Sequence, residues 1–187
     1  MGKVIVIQFI TLDGVIEDPD GRGGAEFGGW AFRFGREAIA GDVFRLGPVL
    51  DGCVVLFGHR TWGHFSRLWP ERTDRFSVAM NRARKVVAST GSPDLTAWAG
   101  SERLDGDVVE GVARLAAEHD VVVIGSTSVV RALQAADGID EYRLLTVPSV
   151  IGDANAVRLF VSSAELGLVS VDAAGPVVLT VLAARSA

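Results

Sequence analysis

The chain has 187 residues and a formal net charge of −5, with 49% hydrophobic and 22% charged residues. That length fits one folded domain with a single core, and the composition lies outside the range of disordered chains. The negative charge argues against broad nucleic-acid binding, because neutralising phosphates needs a basic face. The densest basic group, formed by Arg82, Arg84 and Lys85, is short and indicates a solvated turn.

The sequence contains one cysteine, Cys53, so no internal disulfide can form. Cys53 opens an apolar run, which predicts a small buried thiol rather than a nucleophile. One cysteine and a strand that begins almost at the first residue predict a cytoplasmic protein without a targeting segment. No apolar run reaches the roughly 20 residues of a membrane helix, and we expect no membrane association. The histidines are scattered and predict no metal site.

Strands and helices alternate through the first half of the chain. The β-branched run from Val4 to Ile10 predicts a strand that is buried on both faces. A long glycine-rich loop follows between Asp18 and Gly29, and such loops are often lids or binding loops. Apolar residues recur every three or four positions from about Arg36 to Leu50, which predicts a helix.

The middle of the chain repeats the same alternation. The strand from Val54 to Phe57 leads through Gly58 into a short helix, for which Thr61 is a candidate cap and Pro70 a terminator. Two further strands and two further helices are predicted by the same patterns. They are the strands at 85–88 and 121–124, the helix at 107–118, and a helix that begins after Gly125-Ser126-Thr127-Ser128.

Beyond Gly138 three strands are predicted with no helix between them. They cover residues 141–147, 166–171 and 177–183. Alternating βα units followed by such strands predict an α/β fold with a mixed, mostly parallel central sheet, helices on both faces and antiparallel C-terminal strands. We find no repeat and no linker, so we expect a single domain over residues 1–187.

Small and hydroxyl residues follow three of the predicted strands. These segments are Gly58–Thr61, Ser89–Thr90 and Gly125–Ser128. Ligands of open α/β sheets bind beyond the carboxyl ends of the strands, and helix N-termini favour anions. A segment of this kind alone is better explained by an ordinary cap or turn, and for the three together a dinucleotide site and ordinary turns are equally good interpretations. No Gly-x-Gly-x-x-Gly motif follows the first strand, which disfavours the ordinary dinucleotide fold.

Blocks of sequence in a fixed order resemble the dihydrofolate-reductase-like superfamily. They are Thr11–Ile16, Phe57–Trp62, Val123–Thr127 and the strand Asp140–Leu144. The resemblance spans nearly the whole chain and is closest to the branch that contains the reductase domain of bacterial riboflavin biosynthesis. It implies a reductase that uses NADPH to transfer hydride to a C=N or C=O bond of a small heterocycle, such as a pterin, a pyrimidine or a riboflavin precursor.

The resemblance also implies the cofactor-binding residues. The segment at Gly58 would hold the pyrophosphate, the segment at Ser89 would contact the adenosine ribose phosphate, and Ile16 would lie near the reactive ring. The implied residues are Ile16, Gly58, His59, Arg60, Thr61, Ser89, Thr90, Gly125, Ser126, Thr127 and Ser128. Family members usually have further glycines where this chain has Ser126, and an arginine where it has His59. The preference for NADPH over NADH therefore stays open.

Four residues are candidates for the substrate and for proton transfer. Dihydrofolate reductases carry a carboxylate on the first helix, and Glu37 and Asp42 are the candidates for it here. Either could equally be a solvated helix residue. Asp13 is a further substrate candidate, although Asp-Gly after a strand is typical of a turn. Trp30 could offer an aromatic face to a planar heterocycle.

Two other functions remain open at this point. The first is a non-catalytic binding protein that keeps the reductase fold, and the second is a transferase that uses the same strand ends. The resemblance implies a homodimer, and the apolar C-terminal strands at 166–171 and 177–183 are its predicted interface.

Overall fold

The computed structural model describes residues 1–184. Its strands are β1 Val4–Thr11, β2 Val54–Gly58, β3 Arg84–Ala88, β4 Ser101–Arg103, β5 Val121–Ile124, β6 Glu141–Val147, β7 Leu166–Ala174 and β8 Val177–Ala184. Its α-helices are α1 His59–Phe65, α2 Arg75–Arg82, α3 Val108–Ala116 and α4 Thr127–Ala135. Short 3-10 turns cover Trp30–Phe32, Glu37–Ile39 and Gly47–Asp51.

The strands form a mixed sheet in the order β4-β3-β2-β5-β1-β6-β8-β7. β2 pairs in parallel with both β3 and β5, and β3 pairs in parallel with β4. β7 and β8 are antiparallel. The predicted fold class, a mostly parallel sheet with antiparallel C-terminal strands, is confirmed. Across residues 1–184, no helix has the length and apolar character needed to span a bilayer.

The chain folds as two compact units. The first contains residues 1–6 and 45–141, and the second contains residues 7–44 and 142–184. The core of the first unit is formed by the β-branched runs of β2 and β5, whose residues Val55 and Val122 are fully buried. α3 lies in this unit and begins where the Asp107 carboxylate accepts hydrogen bonds from two amides of the first turn.

The helix predicted from about Arg36 to Leu50 is wrong. This stretch contains only the two 3-10 turns at its ends, since Gly41, Arg45 and Gly47 take left-handed backbone angles (φ 70°, 49° and 45°). Residues in that conformation cannot be accommodated inside a right-handed helix. The spacing of the apolar residues is helical, but the glycines between them let the chain turn instead.

Two local predictions near β2 and β3 also need correction. α1 begins at His59, directly after Gly58, so Thr61 is the third helical residue and not the cap. The basic group is not a solvated turn, because Arg82 ends α2 while Arg84 and Lys85 begin β3. α2 itself was not predicted, since its apolar face is short.

Lys85 is fully buried in the first unit. Its ammonium donates hydrogen bonds to the carbonyls of Asn81 (2.8 Å) and Ala83 (2.7 Å) and lies 4.8 Å from the centroid of a Trp98 ring. These partners stabilise the charge only partly, and burial lowers the pKa of Lys85 to about 8.

We expect Lys85 to make the stability of the protein increase with pH. Between about pH 8 and the ordinary lysine pKa of 10.5, the unfolded chain retains a proton that the folded chain has released. The free energy of unfolding therefore rises across that window. Urea denaturation at pH 7.5 and 9.5 should show wild type gaining stability relative to Lys85→Met. A difference that is constant or that shrinks with pH would contradict the lowered pKa.

Candidate functional site

The three segments predicted to bind phosphate follow strands that end at the same edge of the sheet. The parallel register aligns Gly58 at the end of β2 with Ala88 at the end of β3. On the other side of β2, Leu56 pairs with Val123, and two more residues in that register place Gly58 beside Gly125. The predicted common edge is therefore confirmed, and we call it the carboxyl edge.

A hydrogen bond joins the ends of β2 and β5 at this edge. The Ser126 hydroxyl accepts the Gly58 amide hydrogen (2.5 Å) and donates to the Ile124 carbonyl (3.1 Å). A Cβ atom at Gly58 would lie 3.2 Å from the Ser126 oxygen, and one at Gly125 would lie 3.1 Å from the Thr61 methyl carbon. Both distances are tighter than ordinary contacts, so glycine at these two positions lets the strand ends and helix starts approach closely.

The chain turns from β5 into α4 through two consecutive left-handed residues. Gly125 has φ 59°, and Ser126 has φ 58° and ψ 63°. This conformation costs a non-glycine residue roughly 1–2 kcal/mol, which local hydrogen bonds of a short polar side chain can offset. All peptide bonds that the structure describes are trans. The serine thus makes a turn for which family members usually use glycines.

The first amides of α1 and α4 remain available to a ligand. Ser126 precedes α4, but its hydroxyl is directed to Gly58 and does not cap the helix. α1 likewise has no side-chain cap, since it follows a glycine. The first amides of a helix have no intrahelical acceptor, and the positive end of its dipole attracts anions. Two such helix starts on adjacent strands form a cradle suited to phosphate groups.

Charged and hydroxyl side chains surround this cradle. Arg60 is exposed and makes no hydrogen bond or ion pair with any residue in 1–184. Thr61 and Thr127, in the first turns of α1 and α4, are partly buried, and Ser128 is exposed. At the end of β3, the Ser89 hydroxyl oxygen accepts a hydrogen bond from the Gly91 amide (3.1 Å). The hydroxyl hydrogen of Ser89 can still be donated to a ligand. His59 and Thr90 are both exposed.

Arg103 extends the carboxyl edge and was not predicted. It ends β4, and Val87 of β3 is its partner in the parallel register. Its side chain is exposed and, within residues 1–184, has no hydrogen bond or ion pair. β4 contains three polar residues, so no apolar run in the sequence indicated a strand there. Arg103 places a second unneutralised guanidinium near this edge.

The remaining predicted residues lie in the second unit, and Asp13 holds two of its loops together. Thr11 donates a hydroxyl hydrogen bond to its carboxylate (2.6 Å), and the amides of Ile151 (3.2 Å) and Gly152 (2.9 Å) also donate. The Thr11 bond, followed by the amide bonds, lowers the pKa of Asp13 to about 2. Asp13 is therefore an ionised acceptor in a turn, as the alternative interpretation predicted.

Trp30 and Ile16 are both buried in the second unit. Trp30 has no exposed surface, and its indole N–H donates to the Glu17 carbonyl (2.8 Å). Neither face of its ring is accessible in this structure, and a contact between Trp30 and a substrate stays a prediction. Ile16 is 5% exposed, and its amide donates to the Val157 carbonyl (2.9 Å). Its proximity to the reactive ring stays a prediction.

Glu37 and Asp42 do not lie on an α-helix, which corrects the basis on which they were chosen. Glu37 is exposed in a 3-10 turn, and Asp42 is partly buried in the irregular segment that follows. The left-handed Gly41 separates them. A role for either carboxylate in proton transfer stays a prediction, now without the support of a helix position.

The glycine-rich loop is organised by a single carboxylate. The Asp18 side chain accepts hydrogen bonds from the amides of Gly23 (2.6 Å) and Ala25 (3.0 Å), and its carbonyl accepts the Gly29 amide (2.9 Å). Asp18 itself is left-handed, with φ 48°. Hydrogen bonds to Asp18 thus order the loop, which contains too few apolar residues to be ordered by packing.

The amino-acid sequence matches a known protein family. The family model of the RibD C-terminal domain matches residues 2–180. No curated protein sequence matches the chain significantly. Within residues 1–184, no group of three or more histidine, cysteine, aspartate or glutamate side chains is arranged to hold a metal ion.

Several solved structures share the fold. A protein ascribed to riboflavin biosynthesis from Shewanella sp. PV-4 has a TM-score of 0.75 at 18% identity, with 98% of this chain and 99% of that chain covered. RibD of Acinetobacter baumannii has a TM-score of 0.66 at 17% identity, covering 100% of this chain but 59% of RibD. A pyrimidine reductase-like protein of Corynebacterium diphtheriae has a TM-score of 0.63 at 8% identity, covering 100% and 93%. This chain therefore spans about three-fifths of RibD and nearly all of the other two.

The bond between Ser126 and Gly58 yields a stability prediction. Ser126→Ala removes the acceptor of the Gly58 amide but keeps the left-handed turn, so the free energy of unfolding should fall by about 1–2 kcal/mol. Ser128→Ala is the matched control, because Ser128 is exposed and has no hydrogen bond within the described chain. The control should change stability by less than about 0.5 kcal/mol in the same urea titration. Equal effects of the two variants would contradict the structural role of Ser126.

Proposed function

We propose an NADPH-dependent reductase of small heterocyclic substrates, on the premise that this chain belongs to the RibD C-terminal domain family. The observation that carries the proposal is the carboxyl edge, where Gly58, Ala88 and Gly125 align and two helix starts present unbonded amides. This arrangement suits the pyrophosphate of a dinucleotide.

In this proposal, different residues at the carboxyl edge bind different parts of the cofactor. The amides of residues 59–61 and 125–128 surround the pyrophosphate, with Arg60 as the counter-charge. Ser89, Thr90 and Arg103 lie on the side of the edge formed by β3 and β4, where the adenosine phosphate would bind. NADPH, when bound, supplies the hydride that adds to the carbon of a C=N or C=O bond. The protein contributes orientation and charge.

The family and the names of its relatives support the substrate class that we propose. A Thermotoga maritima structure named as a pyrimidine deaminase and uracil reductase shares the fold, with a TM-score of 0.62 at 19% identity; it covers 98% of this chain and 57% of that chain. A pyrimidine or a riboflavin precursor is the substrate class that we propose here. The two guanidinium groups Arg60 and Arg103 favour NADPH over NADH, since a 2′-phosphate adds negative charge.

One observation favours a second candidate, a binding protein without reductase activity. The Ser126 hydroxyl already occupies the Gly58 amide, which would otherwise be free to contact phosphate. If this bond persists with cofactor present, the edge offers one amide donor fewer to a phosphate. Titration with NADPH separates the two functions, because a reductase should show saturable binding and turnover of a pyrimidine substrate.

Replacement of Arg60 tests the cofactor site directly. Arg60→Ala removes a charge-assisted contact to phosphate, which is worth roughly 1.5–3 kcal/mol, so NADPH affinity should fall about tenfold or more. Arg67→Ala is the control, since Arg67 is exposed just beyond the end of α1. Calorimetry should show weaker binding for Arg60→Ala alone, with little change in Tm for either variant. Equal affinities would remove this segment from the site.

We also propose that the protein is a homodimer that associates through β7. This strand lies at the end of the sheet order, so one side of it has no neighbouring strand. Leu168, Val169 and Val171 are 66%, 60% and 56% exposed. Exposed apolar residues on an edge strand favour association with another chain.

Charged substitutions on β7 should separate the dimer. Val169→Asp with Val171→Asp places two carboxylates in the apolar contact, where they could not be neutralised. Light scattering at micromolar concentration should give twice the 19.8 kDa chain mass for wild type and the single mass for the variant. Val161→Asp, at a 69% exposed valine outside the strand, should remain dimeric. A wild-type mass of one chain would contradict the proposal.

A further inference from the structure

A cavity of about 550 Å³ lies in the first unit at the opposite end of β2 from the carboxyl edge. Cys53 and Val54 at the start of β2, Ala83 before β3, and one face of α2 line it. β2 has five residues, and at about 3.3 Å per residue the two ends lie roughly 13 Å apart. The cavity is thus separate from the proposed cofactor site, and its volume is in the range of small-molecule sites.

The face of α2 that lines the cavity combines two arginines with two apolar residues. Arg75, Val78, Ala79 and Arg82 all line it. Their spacing of three, four and seven residues from Arg75 places them on one side of a helix. The two apolar residues lie between the two arginines along this face. We call the cavity the α2 cavity.

The charge on this face is not neutralised by the protein. The side chains of Arg75 and Arg82 are exposed, and neither guanidinium forms a hydrogen bond or an ion pair with another residue in 1–184. Arg84, also at the wall, differs, because Glu102 pairs with it at 2.5 Å. Asp51 is the one carboxylate among the lining residues. Two unmatched guanidinium groups at one cavity are notable in a chain whose net charge is −5.

The floor of the cavity is apolar. Leu50, Cys53 and Val54 are each at most 6% exposed. Burial, together with the neighbouring Asp120 carboxylate, raises the pKa of the Cys53 thiol to about 11, so the thiol is neutral at physiological pH. This floor would accept a hydrocarbon or aromatic body, while guanidinium groups prefer carboxylate or phosphate oxygens in bidentate geometry.

We propose that the α2 cavity binds a small amphipathic anion, with its oxyanion held by Arg75 and Arg82 and its apolar body against Leu50 and Cys53. The ligand class is an aryl or alkyl carboxylate or phosphate monoester. The inference does not depend on the proposed reductase function, because none of these residues belongs to the carboxyl edge. A ligand here would contact the starts of β2 and β3, whose other ends form that edge.

Calorimetry with 1-naphthyl phosphate and 1-naphthoate tests the proposal on the full chain. Wild type should bind at least one of the two probes saturably, and the probe that binds identifies the preferred oxyanion. Uncharged 1-naphthol should bind about tenfold more weakly or not at all. Saturating NADPH should leave probe binding unchanged. No binding of either anion, or displacement of the probe by NADPH, would overturn the assignment to this cavity.

Variants locate the binding within the cavity. Arg75→Gln with Arg82→Gln should weaken the probe about tenfold or more, while the exposed Arg67→Gln should not. Ala79→Phe keeps both charges but fills the space between them, and it should also abolish binding. If the double variant does not fold, as judged by circular dichroism, Ala79→Phe alone decides the question. Unchanged affinity in a folded variant of either kind would refute the proposal.

Discussion

The hydrogen bond from the Gly58 amide to the Ser126 hydroxyl holds together the two strand ends on which the candidate site depends. β2 and β5 are neighbours in parallel register, so their chains leave the sheet side by side and continue at once into α1 and α4. The bond fixes the spacing of these helix starts and directs the Ser126 side chain away from the α4 amides. Both helices therefore begin without side-chain caps, and their positive ends face the same edge. The proposed phosphate site depends on this backbone geometry, and the side chains around it set its charge.

The two ends of β2 lie in different chemical surroundings. At its carboxyl end β2 meets two helix starts and the exposed Arg60, where we propose that a dinucleotide binds. At its amino end it forms the apolar floor of the α2 cavity, whose lining includes Arg75 and Arg82, two side chains without an ion pair within residues 1–184. The interior of β2 between them is fully buried, which keeps the two ends in a fixed relation. In this account the rigid central strands position chemistry at both ends of the first unit.

Strand patterns in the sequence predicted most of the sheet because its central strands are buried on both faces. Runs such as Val54–Phe57 and Val121–Ile124 contain almost no polar residue, and nothing but a strand or a buried helix segment gives that pattern. Periodicity failed between Arg36 and Leu50, because a helical spacing of apolar residues is insensitive to the left-handed turns that Gly41 and Gly47 allow. β4 was missed because its three residues are all polar and too few to show any periodicity.

The candidate site was predictable where it depends on chain order and less so where it depends on tertiary contacts. Strand ends followed by glycine and hydroxyl residues are visible in sequence, so Gly58, Ser89 and Gly125 were found. The hydrogen bonds that make Asp13 an anchor come from residues 151–152, which are distant in sequence, and the burial of Trp30 has no signal in the glycine-rich sequence around it. Arg103 needed the register of β4 against β3. Sequence patterns thus located the segments that share the carboxyl edge but not the full set of side chains around them.

Amide hydrogen exchange with and without NADPH tests the central claim most directly. The amides of residues 59–61 and 127–129 begin α1 and α4 and have no intrahelical acceptors, so they should exchange rapidly in the free protein. The account predicts that bound NADPH slows exchange at both helix starts together, while α2 is unaffected. Saturable binding of NADPH, verified by calorimetry, that leaves both helix starts unprotected would contradict it.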